Sequence, residues 1–64
     1  MDNHIYMTPQ ELARRLRIST GTLANWRLRG EGPKFMKIGK KVLYPMDEVA
    51  AYEQQALRQN TATP

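Results

Sequence analysis

The sequence predicts a mainly α domain with one small β-hairpin, in the order helix, tight turn, helix, hairpin, helix. Three observations carry that expectation. Thr8-Pro9-Gln10-Glu11 is a helix start. Ser19 opens a second helical stretch only two or three residues after the first one ends. Gly39-Lys40-Lys41 joins two short β-prone runs. Two helices joined by so short a turn, with a hairpin beside the second, make a winged helix-turn-helix.

Each element follows from local chemistry. Asp2 to Met7 is a short lead-in, with Ile5 and Met7 available to pack on the domain. Thr8 caps the first helix, Pro9 suits its first position, and Glu11 completes a capping box. Leu12, Ala13 and Leu16 form its apolar stripe, while Arg14, Arg15 and Arg17 face out and Ile18 closes the turn into the core. Ser19 caps the second helix, with Thr22 at its third position. Leu23 and Trp26 face inward, and Gly30 followed by Glu31-Gly32-Pro33 ends the helix. Phe35–Ile38 and Val42–Tyr44 are the hairpin strands, whose Met36/Ile38 and Val42/Tyr44 alternation suits a half-buried pair; the register stays open. Pro45 ends the second strand, Asp47 is expected to cap a third helix, and Val49 and Tyr52 lie on one side of it, with Leu57 undecided. The expected boundaries are a winged helix-turn-helix domain over 1–58 and a disordered tail over 59–64.

Charge is segregated along the chain. Nine of the ten basic side chains lie between Arg14 and Lys41, with Glu31 as the one acid among them, a local balance of +8. The flanks hold Asp2, Glu11, Asp47, Glu48 and Glu53 against Arg58, which brings the whole chain to +4. Such a distribution makes a local positive field suited to a polyanion. Enzyme chemistry finds no support: no nucleophile stands near a base in a recognisable pattern, and no glycine loop cradles a phosphate. Without cysteine and with His4 as the only histidine, no disulfide is possible and no metal site or cofactor is expected. The apolar runs are too short to span a membrane, and the expected setting is a bacterial cytoplasm, in association with the nucleoid.

On the second helix, Arg27, Asn25 and Thr22 are the candidates for major-groove contact, since arginine can bridge the O6 and N7 of guanine and asparagine can pair with adenine. Arg29 lies on the same helix and is expected to meet DNA. Ser19 and Thr20 sit at a helix N-terminus that suits a phosphate, although capping explains Ser19 equally well. Lys40 and Lys41 at the hairpin tip reach either the adjacent minor groove or solvent, and Lys34 and Lys37 are backbone-contact candidates. Among Arg14, Arg15 and Arg17, at least one is expected to face away from DNA, serving solubility or pairing with Glu11. Trp26, Tyr44 and Tyr52 read as core rather than as stacking platforms.

From Met7 to about Glu53 the chain resembles the small winged-helix domains of the excisionase and AlpA-like group, relatives of the DNA-binding head of MerR-type regulators. The residues that carry the resemblance are Thr8-Pro9-Gln10-Glu11-Leu12-Ala13, Ile18-Ser19-Thr20-Gly21-Thr22-Leu23 and Trp26. They continue with Arg29-Gly30-Glu31-Gly32-Pro33, Lys37-Ile38-Gly39-Lys40, Tyr44 and Asp47-Glu48-Val49. The resemblance implies a recognition helix, a two-stranded wing and a packing helix. It also implies binding to double-stranded DNA, as an excisionase working with an integrase or as a small transcriptional regulator of a prophage or mobile element. MerR-type regulators continue into a dimerisation helix and an effector domain, and since this chain stops soon after Leu57, effector sensing is not carried over. The expectation is a monomer in free solution that gathers further copies of itself on adjacent DNA sites. A different class of function is an interaction adaptor whose basic face meets an acidic protein.

Overall fold

The computed structural model describes residues 5–57, so Asp2, His4, Arg58 and the tail over 59–64 lie outside the described residues. The elements run β1 (Tyr6–Met7), α1 (Pro9–Leu16), α2 (Thr20–Arg29), β2 (Met36–Ile38), β3 (Lys41–Pro45) and α3 (Met46–Ala56). The fold is mainly α with a small antiparallel sheet, a winged helix-turn-helix.

Both helices of the motif start and stop on the expected residues. The Thr8 hydroxyl accepts from the Glu11 N–H at 3.1 Å, and the Glu11 carboxylate accepts from the Thr8 N–H at 2.9 Å, which closes the capping box. Ser19 Oγ accepts from the Thr22 N–H at 3.0 Å. Each helix ends in a Schellman arrangement, with the Ile18 N–H on the Ala13 carbonyl and the Glu31 N–H on that of Trp26. The left-handed residue is Gly30 in α2 but Arg17 in α1, at φ 62°. Arg17 therefore forms the corner of the tight turn rather than a position on the outer helix face.

The sheet departs from the expected hairpin in three ways. Tyr6–Met7 pairs with β3, so the lead-in is a strand and β3 is central in the order β1-β3-β2. The turn is Gly39-Lys40, with Lys41 already paired to Ile38. The register sets Lys37 against Val42 and Met36 against Leu43, so the two apolar pairs lie on opposite faces. Val42 and Tyr44 face the core, whereas Ile38 is left 57 % exposed.

The third helix corrects another expectation. Its cap is Pro45 with no side-chain hydrogen bond, because β3 runs directly into it and the Met46 N–H donates to the Ile5 carbonyl at 2.8 Å. Asp47 falls inside the first turn, where its Oδ1 accepts from the Glu48 N–H and its charge favours the positive helix end. Ile5 contributes backbone only and its side chain is exposed, as is that of Leu57.

The core is small. Leu12, Ala13, Leu23, Tyr44 and Val49 are buried, with Met7, Leu16, Ile18, Trp26 and Val42 packed around them. Trp26 is half-buried and meets Tyr52 of α3 with ring centroids 5.7 Å apart. Its other neighbour is Gly32, at φ 82°, where an added Cβ would stand 2.5 Å from the indole Cε3. The indole thus holds the linker and α3 together. Across the domain, Arg15 Nε donates to Glu53 Oε2 at 2.8 Å and its Nη2 donates to Oε1 at 3.1 Å, a forked pair joining α1 to α3. Arg15 thus pairs with Glu53 of α3 rather than with Glu11, whose carboxylate accepts from the Thr8 N–H.

Two consequences are measurable. Gly30→Ala, in open space at φ 71°, should cost about 1–2 kcal/mol from backbone strain alone. Gly32→Ala adds the clash with Trp26 and should cost about 1–3 kcal/mol more, read as a lower urea midpoint. The second concerns pH. The hydrogen bonds from Arg15 hold the Glu53 carboxyl below its ordinary range, so the pair stabilises the fold above about pH 4.3 and is lost as pH falls through the lowered folded value. Glu53→Gln should therefore reduce the loss of stability between pH 5 and pH 3, measured by thermal melts at each pH.

Candidate nucleic-acid interface

The turn at Arg17-Ile18-Ser19 fixes α2 across α1, with Leu23 buried between them and the opposite side of α2 open. Around a helix of 3.6 residues per turn, Leu28 lies about 140° from Leu23 and Arg27 only about 40°. The exposures agree: Gly21, Asn25 and Leu28 are exposed, while Thr22, Ala24 and Arg27 are half-buried.

Arg27, a candidate for major-groove contact, is half-buried and engaged inside the domain. Its Nη1 donates to Tyr44 Oη at 2.8 Å, and the guanidinium carbon lies 5.8 Å from the centroid of the Phe35 ring. Tyr44 is 1 % exposed, so its hydroxyl needs a partner from inside the protein, and Arg27 supplies it. Phe35 in turn packs on Tyr44, ring centroids 6.0 Å apart. The arginine thereby links the recognition helix to the wing.

The remaining candidates separate into groups. Arg27, Lys37 and Lys40 line one open groove between α2 and the hairpin, together with Ala24, Leu28 and Phe35. Asn25 and Thr20 are exposed on α2. Ser19 and Thr22 are occupied with each other, their hydroxyls 3.0 Å apart in the cap. Arg29 stands 3.8 Å from Glu31 on the surface, a pair worth little in water. Lys34 lies in the linker beside Glu48 and Tyr52, away from the groove, and Lys41 pairs with Ile38 on the face opposite Lys37. Leu28, Phe35 and Tyr44 took no part in the sequence-based site, although the angular position of Leu28 relative to Leu23 was legible there. Among the described residues, no group of three or more His, Cys, Asp or Glu could hold a metal ion, and no helix is long and apolar enough to cross a membrane.

Because Arg27 is structural as well as basic, Arg27→Ala should destabilise the fold by about 1–3 kcal/mol by leaving the buried Tyr44 hydroxyl without its donor. A surface position would change by less than about 0.5 kcal/mol. Urea denaturation without DNA separates the two.

A family model described as a helix-turn-helix domain matches residues 6–56, from the first strand to the last turn of α3. No curated protein and no solved structure matches the chain. The capped helix pair, its tight turn and the basic groove beside the second helix are the features expected of such a domain. The chain belongs to the helix-turn-helix domain family, a DNA-binding type that includes the excisionase and AlpA-like proteins.

Proposed function

We propose that this protein binds duplex DNA sequence-selectively, with α2 in the major groove and the Gly39-Lys40 turn against the neighbouring backbone. The observation that carries this reading is the groove in which Arg27, Lys37 and Lys40 stand together beside the exposed side of α2, with no acidic side chain in its lining. Phosphate neutralisation there supplies affinity, and side chains of α2 supply selectivity. Lys41 and Lys34 extend the positive field to either side of the groove.

The use we propose for this binding is architectural: an excisionase that organises an attachment site for a separate integrase. Membership of a family that contains excisionases supports it. One helix-turn-helix module covers about 600–1,000 Å² of protein surface on DNA, so its selectivity gains from neighbours. Further copies on adjacent sites, or the integrase itself, would provide them.

A gel shift on the DNA upstream of its own gene, with excess competitor duplex, tests the binding. Saturable, selective retardation is expected, and its absence in favour of an acidic protein ligand would establish an adaptor instead. Replacing Lys37 and Lys40 with Ala should make the slope of log K against log[salt] shallower by roughly 2 × 0.9 if each meets one phosphate. An unchanged slope would place the groove away from DNA. Stimulation of integrase-driven excision by the purified protein separates the architectural role from promoter control.

A further inference from the structure

Leu28 is 86 % exposed, more than any other large apolar side chain among the described residues. It lies on α2 about 140° from the buried Leu23, where this domain covers little of it. The surroundings are cationic: Arg27, Lys37 and Lys40 share its groove, and no acid lines that groove. An apolar side chain ringed by cations fits a partner that is a polyanion with apolar groups inside its charged rim. Duplex DNA is such a partner, because the thymine C5-methyl is the apolar group displayed in its major groove.

A second observation lies on the same strip. Gly21 precedes Asn25 and Leu28 by four and seven residues, so all three lie along one line of the helix. Nothing in the fold requires a glycine there: its φ is not positive, and an added Cβ would meet only Ser19 Oγ, at an ordinary 3.7 Å. Gly21 is the second residue of α2, where the missing side chain leaves the backbone open to close approach from outside.

We infer that the strip Gly21–Asn25–Leu28 is the base-reading line of α2 and that Leu28 packs on a thymine methyl. This rests on the duplex-binding reading above and adds to it a stated base and the residue that selects it. Asn25 between them offers the amide geometry that pairs with adenine, so the line suits an A·T-containing half of the site. Arg27 borders the line and positions the wing rather than reading the centre.

The experiment uses the full chain and the best-bound duplex recovered from a randomised pool, in which each thymine is replaced singly by uracil. Loss of one buried methyl should weaken wild-type binding about fourfold at one thymine. Leu28→Ala should abolish that thymine–uracil difference at the same position while leaving the melting temperature unchanged, as the side chain is exposed. Gly21→Ala should not lower the melting temperature yet should weaken binding several-fold. Equal thymine–uracil ratios for wild type and Leu28→Ala at every position, or full affinity in Gly21→Ala, would overturn the inference while leaving duplex binding intact. Failure of the wild type to select any duplex would overturn both.

Discussion

The burial of Tyr44 is the constraint on which the domain depends. It lies on β3, the central strand, and its side chain belongs to the same core as Leu12 and Ala13 of α1, Leu23 of α2 and Val49 of α3. An aromatic ring in so small a core supplies a large share of the apolar area removed from water. Its hydroxyl makes that burial conditional, because an unpaired polar atom inside would cost much of the gain. Arg27 satisfies it, and the same contact sets the distance between recognition helix and wing. Stability and the shape of the binding groove are therefore coupled through one hydrogen bond.

The rest of the molecule keeps charge and core apart. Among the described residues, no acid lines the groove. Glu53 joins α3 to α1 through Arg15, Asp47 and Glu48 occupy the positive end of α3, and Glu11 completes the α1 cap. Glu31 lies near Arg29 at the end of α2. With no carboxylate in the groove lining, Arg27, Lys37 and Lys40 have no acid beside them there to offset their charge. The linker keeps this arrangement in place, since Gly32 allows Trp26 to lie against its backbone while the indole also reaches Tyr52.

Where the sequence and the structure differ, the reason is the range of the interaction. The Thr8–Glu11 box, the Ser19 cap and the Gly30 stop were legible because each closes within a few residues. The pairing of Tyr6–Met7 with β3 was not, since two residues carry no periodicity and the partner lies far along the chain. Asp47 is a good capping residue by composition, yet the Met46 N–H found the Ile5 carbonyl because β1 had brought it there. Lys40 and Lys41 are neighbours in sequence and read alike, but the register gives them different surroundings.

By itself, the sequence determined the element order, the two helix caps, the tight turn and the segregated positive charge, all of which depend on local backbone chemistry or on counting charges. The tertiary structure decided which face of α2 is free, that Arg27 serves Tyr44, and which lysines share a groove. Those outcomes depend on strand register and on the partner a buried hydroxyl finds, and both are set by contacts between residues distant in the chain.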